Sequence, residues 1–382
     1  MLRAGEQALL PVYAQMPVRP VSGRGAWLVD ESGAEWLDAY GGHAVASTGH
    51  SHPRVVSAIA EQAGRLFFYS TAVPHPLREQ LAAALAERCP GPLGRVFFCN
   101  SGAEANENAL HLARKATGRK AVASVTGGWH GRTVATLACC DGRSYEAGAV
   151  RAGMALSARV AFDDVASLDS VLDDTMAALI VEPVQGMAGA RDCSVEFLAA
   201  ARRLCTERGI ALLFDEVQCG VGRSGAFTAA ELYGVVPDGL TLAKGLGSGY
   251  PIGAVVAGPM LAMGIGVGDL GSTFGGGPVA CAAALATLSV IADEDLTGNA
   301  ARVGAHIAAG ARALGARKVW GRGLLLGLDF GRPAKELQQA LFAHRILTGT
   351  SADPNVLRIM PPLTLTVHEA DLLLAGLREV LA

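Results

Sequence analysis

Charge is scarce in this chain, and lysine is scarcer still. Only 18% of the 382 residues are charged, the net charge is −3, and just five of the 32 basic residues are lysine. This balance excludes the basic footprint expected of a protein that binds nucleic acid or anionic membranes. With 51% hydrophobic residues, the chain is too apolar to be disordered and must hide much surface in a core or between subunits.

Three further absences limit the range of functions that the chain could have. The eight cysteines include no C-x-x-C pair, which favours buried, reduced thiols in a cytoplasmic protein. The first fifteen residues hold too short an apolar stretch for a signal peptide, and we expect no membrane span. LLFDEVQ (212–218) resembles a Walker B strand, but no lysine follows a glycine. The chain therefore lacks the P-loop that an ATPase requires.

What the chain does have is a regular alternation of apolar strands and helices from about residue 96. VFFCN, KAVASVT, AALIVEPV, IALLFDEV and LTLAK read as strands, with amphipathic helical segments between most of them. Continuous apolar strands separated by helices predict a mainly parallel α/β sheet covered on both faces. The ends of the chain read as hairpins and helices. We therefore predict a large α/β domain (46–285) and a small α+β domain built from both termini (1–45 and 286–382).

Lys244 stands at the end of an apolar strand, where an ammonium is poorly solvated. A lysine that snorkels to solvent is the simplest interpretation. A reactive amine is the alternative, because lysine attacks carbonyl groups when its pKa is lowered. That alternative needs partners at the carboxyl ends of neighbouring strands, where open α/β sheets bind their ligands.

Three such strand ends carry candidate partners. NSGAEANE (100–107) opens a helix with capping-box spacing, and a helix start of this kind also presents free N–H groups to a phosphate. LLFDEVQ offers a carboxylate that is suited to the protonated ring nitrogen of a pyridine cofactor. GGWHGRT (127–133) offers an aromatic ring for stacking and an arginine for binding a carboxylate, although ordinary packing explains its tryptophan and histidine equally well.

NSGAEAN, HGRT, VEPVQG, FDEVQ, LAKG, STFGG and LRIMPPL occur in one order along the chain. In that order they resemble the class III (subgroup II) aminotransferases, which are pyridoxal-phosphate (PLP) enzymes of fold type I. The likeness is greatest to the acetylornithine/ornithine branch and runs from about residue 23 to the C-terminus. It implies a seven-stranded, mainly parallel sheet, a PLP cofactor and a homodimer whose active site is shared between subunits.

The resemblance also implies roles for single residues. Lys244 forms the covalent link to the cofactor and then shuttles a proton, while Asp215 holds the pyridine nitrogen protonated. Arg132 and Arg358 bind the carboxylates of the substrates, and Ser272 also belongs to the substrate site. The remaining cofactor contacts that it implies are Ser101, Gly102 and Ala103 around the phosphate, Trp129 and Val217 on the two ring faces, Gln218 on the phenolic oxygen, His130, Glu182, and Thr273 from the neighbouring subunit.

Met187 departs from the family pattern. Related enzymes read EP-x-QGEGG, whereas this chain reads VEPVQGMAGA, and methionine replaces the glutamate that pairs with the small-domain arginine in the ornithine branch. Because methionine cannot neutralise Arg358, we expect discrimination between the donor and glutamate half-reactions to differ from that branch.

The sequence indicates the type of reaction more clearly than it indicates the amine donor, because related donors are compatible with the same fold and cofactor. We expect transfer of the ω-amino group of N2-acetyl-L-ornithine to 2-oxoglutarate in arginine biosynthesis. Carrier-protein-bound lysine, succinylornithine and GABA-type ω-amino acids stay open as donors. An intramolecular aminomutase of the glutamate-semialdehyde type and a non-catalytic homologue are the rival functions, and no metal is expected.

Overall fold

The computed structural model describes residues 8–382, and its centre is a seven-stranded sheet. The five inner strands are short, largely apolar runs whose side chains are nearly all buried, as the continuous hydrophobic pattern predicts, whereas the two edge strands are partly exposed. Across the sheet the strands are β4 (Arg95–Cys99), β12 (Gly253–Ala257), β11 (Gly239–Leu242), β10 (Ala211–Asp215), β7 (Met176–Val181), β5 (Ala121–Val125) and β6 (Ala158–Val160).

Six of these strands run in one direction. The pairs β10–β11, β10–β7, β7–β5 and β5–β6 are parallel. Within this sheet β12 is reversed, since it pairs antiparallel with both β11 and β4. The carboxyl ends of the six strands therefore lie along one edge of the sheet, which is where ligands of open α/β sheets bind. The predicted seven-stranded, mainly parallel sheet is confirmed.

Both faces of the sheet are buried. Along β10, Leu212 and Phe214 belong to one apolar cluster, whereas Ala211 and Leu213 belong to the other. Helices cover these faces: α1 (Pro53–Arg65), α2 (Pro76–Arg88), α3 (Gly102–Thr117), α4 (Val134–Cys139), α5 (Arg143–Arg151), α6 (Val165–Val171), α7 (Val195–Arg208), α8 (Ala229–Tyr233), α9 (Pro259–Ala262) and α10 (Pro278–Asp293). A short 3₁₀ helix (Lys244–Gly247) follows β11.

The two ends of the chain form smaller sheets. The first contains β1 (Pro20–Arg24), β2 (Trp27–Asp30), β3 (Glu35–Asp38) and β15 (Ile346–Leu347), so that three antiparallel N-terminal strands are joined by a fourth strand from the C-terminal part. The second contains β13 (Lys318–Arg322), β14 (Leu325–Asp329), β17 (Val356–Ile359) and β16 (Gly349–Thr350). A separate two-stranded ribbon joins β8 (Val184–Gln185) to β9 (Arg191–Asp192).

Three further helices accompany these sheets: α11 (Leu296–Ala313), α12 (Ala334–Ala343) and α13 (Val367–Leu381). Helix α13 begins with a complete capping box between Thr366 and Glu369, which satisfies N–H groups that a helix end leaves free. The pairing of N- and C-terminal strands agrees with a small α+β unit built from both termini. The domain boundaries at 45/46 and 285/286 stay predictions, and residues 1–7 lie outside the described part of the chain.

No helix among residues 8–382 combines the length and the apolar character that a membrane span needs.

Candidate active site at the carboxyl edge of the sheet

Lys244 lies just beyond the end of a central strand. Strand β11 ends at Leu242, and Lys244 begins the 3₁₀ helix with a left-handed φ of 41°. A residue with a Cβ persists in this conformation only where its surroundings enforce it, and such strain is concentrated at functional sites. Burial is the main cause that lowers the pKa of the Lys244 ammonium. Burial therefore shifts Lys244 towards the neutral amine, which is the nucleophilic and basic form.

Asp215 ends β10 and is only 3% exposed. Its Oδ2 accepts a hydrogen bond from the Asn106 amide at 2.8 Å and lies 2.8 Å from Nδ1 of His130. Its Oδ1 accepts the backbone N–H of Val217 at 3.0 Å. Asn106 is itself held, because its amide donates to the carbonyl of His130 and its Oδ1 accepts the hydroxyl of Thr241. Hydrogen bonds from several elements thus fix a buried carboxylate in one orientation.

The neighbouring acid, Glu216, has a structural role. Its carboxylate accepts the backbone N–H groups of Ala229 and Ala230 at the start of α8, and its side chain is fully buried. The two consecutive acids of FDEVQ therefore have different roles. Asp215 belongs to the candidate site, and Glu216 caps α8.

We expect Glu216→Ala to lower the free energy of unfolding by about 2–3 kcal/mol, because it leaves two buried N–H groups without an acceptor. Burial also raises the pKa of Glu216 from its ordinary range to about 7. Between the ordinary value of 4.5 and pH 7 the folded state therefore binds more protons at Glu216 than the unfolded state, so this group's contribution to stability falls as the pH rises through that window. Urea unfolding at pH 5 and pH 7 measures both effects, and Glu216→Gln should flatten the pH dependence. An equal pH slope in wild type and Glu216→Gln would contradict the assignment.

The start of α3 is a candidate anion site. Ser101 caps the helix by accepting the N–H of Glu104 at 3.2 Å, while the Glu104 carboxylate accepts the N–H of Asn100 rather than that of Ser101. A Cβ on Gly102 would lie 2.6 Å from a methyl group of Val217, so glycine allows the two segments to approach. The first N–H groups of a helix have no partner inside it and favour negative charge.

These strand ends enclose a cavity of about 350 Å³, called the inner cavity below, whose lining includes Lys244, Asp215, Glu182, Trp129, Val217 and Gly102. Three buried polar atoms of its wall have no hydrogen-bond partner among residues 8–382: Nε1 of Trp129, Nε2 of His130 and Oε1 of Gln218. Unpaired buried polar atoms cost free energy. A polar ligand that donates and accepts hydrogen bonds therefore fits this cavity.

Glu182 and Trp129 form one wall of the inner cavity. Glu182 accepts the N–H of Trp129 at 2.8 Å and that of Gly186 at 3.1 Å. Burial, and then the nearby carboxylate of Asp215, raise the pKa of Glu182. The centre of the Trp129 indole ring lies 5.9 Å from Nζ of Lys244. This wall places an aromatic surface beside the amine, where it can stack on a planar ring.

A second and larger space, the outer cavity, adjoins the first and has a volume of about 920 Å³. Arg132 lines both cavities, and Arg358 on β17 lines the outer one together with Met187. Arg358 is only 3% exposed, and it donates to the carbonyl oxygens of Thr350 (2.7 Å) and Gly186 (3.1 Å). Both arginines predicted from the sequence therefore reach one space, where each can bind a carboxylate.

Two predicted site residues lie apart from these cavities. Ser272 accepts hydrogen bonds from the Asn100 amide and from the N–H of Gly275, and Thr273 is exposed. Neither lines the inner or the outer cavity of the single chain. The contact across a subunit boundary that the resemblance implies for Thr273 stays a prediction.

Sequence reasoning missed Asn106 and the turn that carries His43. Asn106 lies inside the NSGAEAN motif. The signal that could have identified it is a polar side chain on the helix face formed by Ala105, Ala109 and Ala113, which are buried in α3. The turn Gly41–Ala44 is left-handed throughout, with φ between 56° and 66°. Its two glycines tolerate this conformation, and the turn carries His43 into the wall of the outer cavity. The consecutive glycines Gly41 and Gly42 were the signal in the sequence that could have predicted this turn.

Taken together, the two cavities suit a planar, anionic heteroaromatic group beside a reactive amine. The helix N-terminus favours negative charge, Trp129 offers a stacking surface, and Asp215 offers a fixed carboxylate. The outer cavity adds two arginines for an acidic substrate. Carbonyl chemistry at a lysine amine requires this combination of desolvation and oriented charge.

Comparison with known proteins gives a consistent result. A family model described as "Aminotransferase class-III" matches residues 11–381. A protein named acetylornithine aminotransferase 1 from Bordetella pertussis is 40% identical over 95% of each chain. Two solved structures of the ornithine aminotransferase from Toxoplasma gondii are 31% identical and cover 98% of this chain, with TM-scores of 0.92 and 0.91 over 93% and 92% of their own chains. The second of them has PLP bound at partial occupancy in its active site.

Proposed function

This chain belongs to the class-III aminotransferases, and on that basis we propose that it moves the ω-amino group of an N-acylated diamino acid to 2-oxoglutarate. The observation that carries the proposal is the meeting of Lys244 and Asp215 in one cavity that adjoins the space lined by Arg132 and Arg358. N2-acetyl-L-ornithine is the proposed donor, since the Bordetella relative is named for it. A role in arginine biosynthesis follows from that donor.

The inner cavity fits PLP as the cofactor. The N-terminus of α3, with Ser101, Gly102 and Ala103, would hold the phosphate, and Trp129 and Val217 would face the two sides of the ring. The unpaired polar atoms of His130 and Gln218 support a ligand with several polar substituents. When bound, PLP supplies an electron sink for the carbon that carries the amine.

Side chains of this protein would supply the remaining steps, which are protonation of the cofactor ring and proton transfer at the amine-bearing carbon. Asp215, fixed by Asn106 and His130, would keep the ring nitrogen of the cofactor protonated. Lys244, with its lowered pKa, would carry the cofactor and then take and return a proton at the amine-bearing carbon. The 3₁₀ helix that starts at Lys244 holds the amine in the wall of the inner cavity, so that one base serves both half-reactions.

The two arginines would orient the substrates in a ping-pong reaction. Arg132 lines both cavities and would bind the α-carboxylate of the donor and the distal carboxylate of 2-oxoglutarate. Arg358 would bind the α-carboxylate of 2-oxoglutarate. Bidentate pairing of a guanidinium with a carboxylate fixes both position and direction.

An amine-donor panel tests this assignment. We expect N2-acetyl-L-ornithine with 2-oxoglutarate to give glutamate, and we expect higher kcat/KM for it than for free ornithine, succinylornithine or 4-aminobutyrate. Glutamate is measured by a coupled dehydrogenase assay. Amine transfer that needs no oxo acid would instead indicate the aminomutase, and a protein that binds no PLP and transfers no amine would indicate a non-catalytic homologue.

The homodimer and the cytoplasmic location stay part of the proposal. Apolar side chains are exposed beside the site, including Phe67 (66%) and Phe274 (64%), and the rings of Phe68 and Phe274 lie 5.3 Å apart. Exposed apolar clusters of this kind are typical of subunit contacts. The adjacent Thr273 would then reach the phosphate of the partner's cofactor.

A further inference from the structure

The inner cavity holds two buried carboxylates. Asp215 and Glu182 are 3% and 5% exposed, and they are the two acids among the lining residues that the structure describes. Asp215 contacts Asn106, His130 and the N–H of Val217, and in the proposed reaction it faces the ring nitrogen of the cofactor. Glu182 has no partner in that step, so its charge is free to act on another group of the cavity.

Two separate segments fix the Glu182 side chain. Glu182 directly follows β7, at the carboxyl edge of the sheet. Its Oε1 accepts the N–H of Trp129 at 2.8 Å, and its Oε2 accepts the N–H of Gly186 at 3.1 Å. An ionised carboxylate only accepts hydrogen bonds, so two N–H donors favour its charged form. These bonds therefore hold a negative charge at a fixed place in the cavity wall.

Trp129 connects this carboxylate to the amine of Lys244. The backbone N–H of Trp129 donates to Glu182, and the centre of its indole ring lies 5.9 Å from Nζ of Lys244. Glu182 and Lys244 also line the same cavity of about 350 Å³. The two groups are thus separated by the span of a single residue, and charges interact more strongly inside a protein than in water.

The groups around Lys244 act on it in opposite directions. Burial, and to a smaller extent the charge of Arg358, lower the pKa of the Lys244 amine, whereas Asp215, Glu182 and Cys219 raise it. Burial raises the pKa of the Cys219 thiol well above its ordinary range, so this thiol carries no charge at neutral pH. Among the described neighbours, the two carboxylates are therefore the groups that keep the buried amine basic.

Binding of the cofactor would leave Glu182 as the main source of this effect. A protonated ring nitrogen that pairs with Asp215 neutralises its charge, so Asp215 then has less influence on Lys244. Burial, and then Asp215, raise the pKa of Glu182 to about 7, while His130 lowers it. Neutralisation of Asp215 removes one of the two causes that raise it, so Glu182 is more fully ionised in the loaded site.

We propose that Glu182 is a positioning residue that acts through Lys244, and that its carboxylate keeps the amine basic enough to take the proton from the amine-bearing carbon. That proton moves to the lone pair of Lys244 Nζ, the electrons of the C–H bond stay with the carbon, and Glu182 itself neither gains nor loses a proton. A general base is most effective when its pKa lies near the working pH, so the charge of Glu182 offsets the effect of burial. This inference rests on the proposed aminotransferase function.

The test compares the wild-type holoenzyme with Glu182→Gln, Glu182→Asp and Glu216→Gln. The visible absorbance of the holoenzyme as a function of pH reports the proton on the lysine nitrogen and needs no turnover. Glu182→Gln should move its midpoint to lower pH by about one unit, because loss of a nearby negative charge disfavours the protonated nitrogen. Glu182→Asp, which withdraws the charge without removing it, should move the midpoint less, and Glu216→Gln should leave it unchanged. The acid limb of kcat with N2-acetyl-L-ornithine should shift in the same direction as the absorbance.

The outcomes separate this inference from the proposed function. A folded Glu182→Gln variant with the wild-type midpoint overturns the inference and leaves amine transfer standing, and so do equal shifts in Glu182→Gln and Glu216→Gln. If thermal unfolding shows that Glu182→Gln does not fold, Glu182→Asp decides, and an unchanged midpoint in that variant overturns the inference. The expected shift in a holoenzyme that does not use N2-acetylornithine supports the inference and overturns the proposed donor. A protein that binds no PLP overturns the proposed function and the inference with it.

Discussion

Replacement of Lys244 by alanine is expected to lower kcat by at least about 10³-fold, because general acid–base catalysis alone is worth about 10²–10⁴-fold and the covalent role is lost with it. Lys244 reaches the inner cavity from the start of the 3₁₀ helix, and burial lowers the pKa of its amine. Among the described residues no other lysine lines that cavity, so no neighbouring amine can replace it. Steady-state formation of glutamate with saturating donor and saturating 2-oxoglutarate measures the effect.

The matched control for this variant is Lys318→Ala. Lys318 begins β13 and is exposed, with its Nζ 5.5 Å from the centre of the Trp320 ring, and its loss should leave turnover near wild type. Thermal unfolding of both variants shows whether the fold is intact. Turnover by folded Lys244→Ala within tenfold of wild type would refute the role assigned to this amine.

Asp215→Asn is expected to lower kcat by roughly 10²–10³-fold, which is the usual cost of removing one oriented electrostatic contact from an active site. The amide keeps the size of the side chain, but it cannot hold a proton on a ring nitrogen by charge. Asn106 and His130 both contact Oδ2 of Asp215, so the substitution also disturbs the hydrogen bonds that fix the site. Steady-state kcat, together with the PLP retained after dialysis, separates loss of chemistry from loss of cofactor.

Glu216→Gln serves as the control, because Glu216 is the next residue in the chain and is buried to a similar degree. Its carboxylate caps α8 and does not line either cavity. We therefore expect a lower stability with kcat close to that of wild type. If the two substitutions changed kcat to the same extent, Asp215 would have no special role.

The sequence was sufficient for the fold class and for the residues at the strand ends. Apolar runs such as LLFD and LTL become β10 and β11 because a strand buried on both faces must be apolar throughout. Parallel strands then bring their carboxyl ends together, which places Lys244 and Asp215 at one edge without further information. The order of the motifs led to the class-III aminotransferases, and the family match confirmed this interpretation.

Tertiary structure decided how these residues are held and what surrounds them. Asn106 contacts Asp215 across 109 positions of sequence, and Arg358 contacts Gly186 across 172. Contacts between such distant residues depend on the packing of whole elements, so local patterns cannot predict them. The sequence alone therefore determined that an amine and a carboxylate meet, because strand periodicity and parallel topology are local and regular properties. Only the folded chain decided that Asp215 is fixed by Asn106 and that Arg358 shares a cavity with Met187 without a described acid, because both facts arise where separate segments pack against each other.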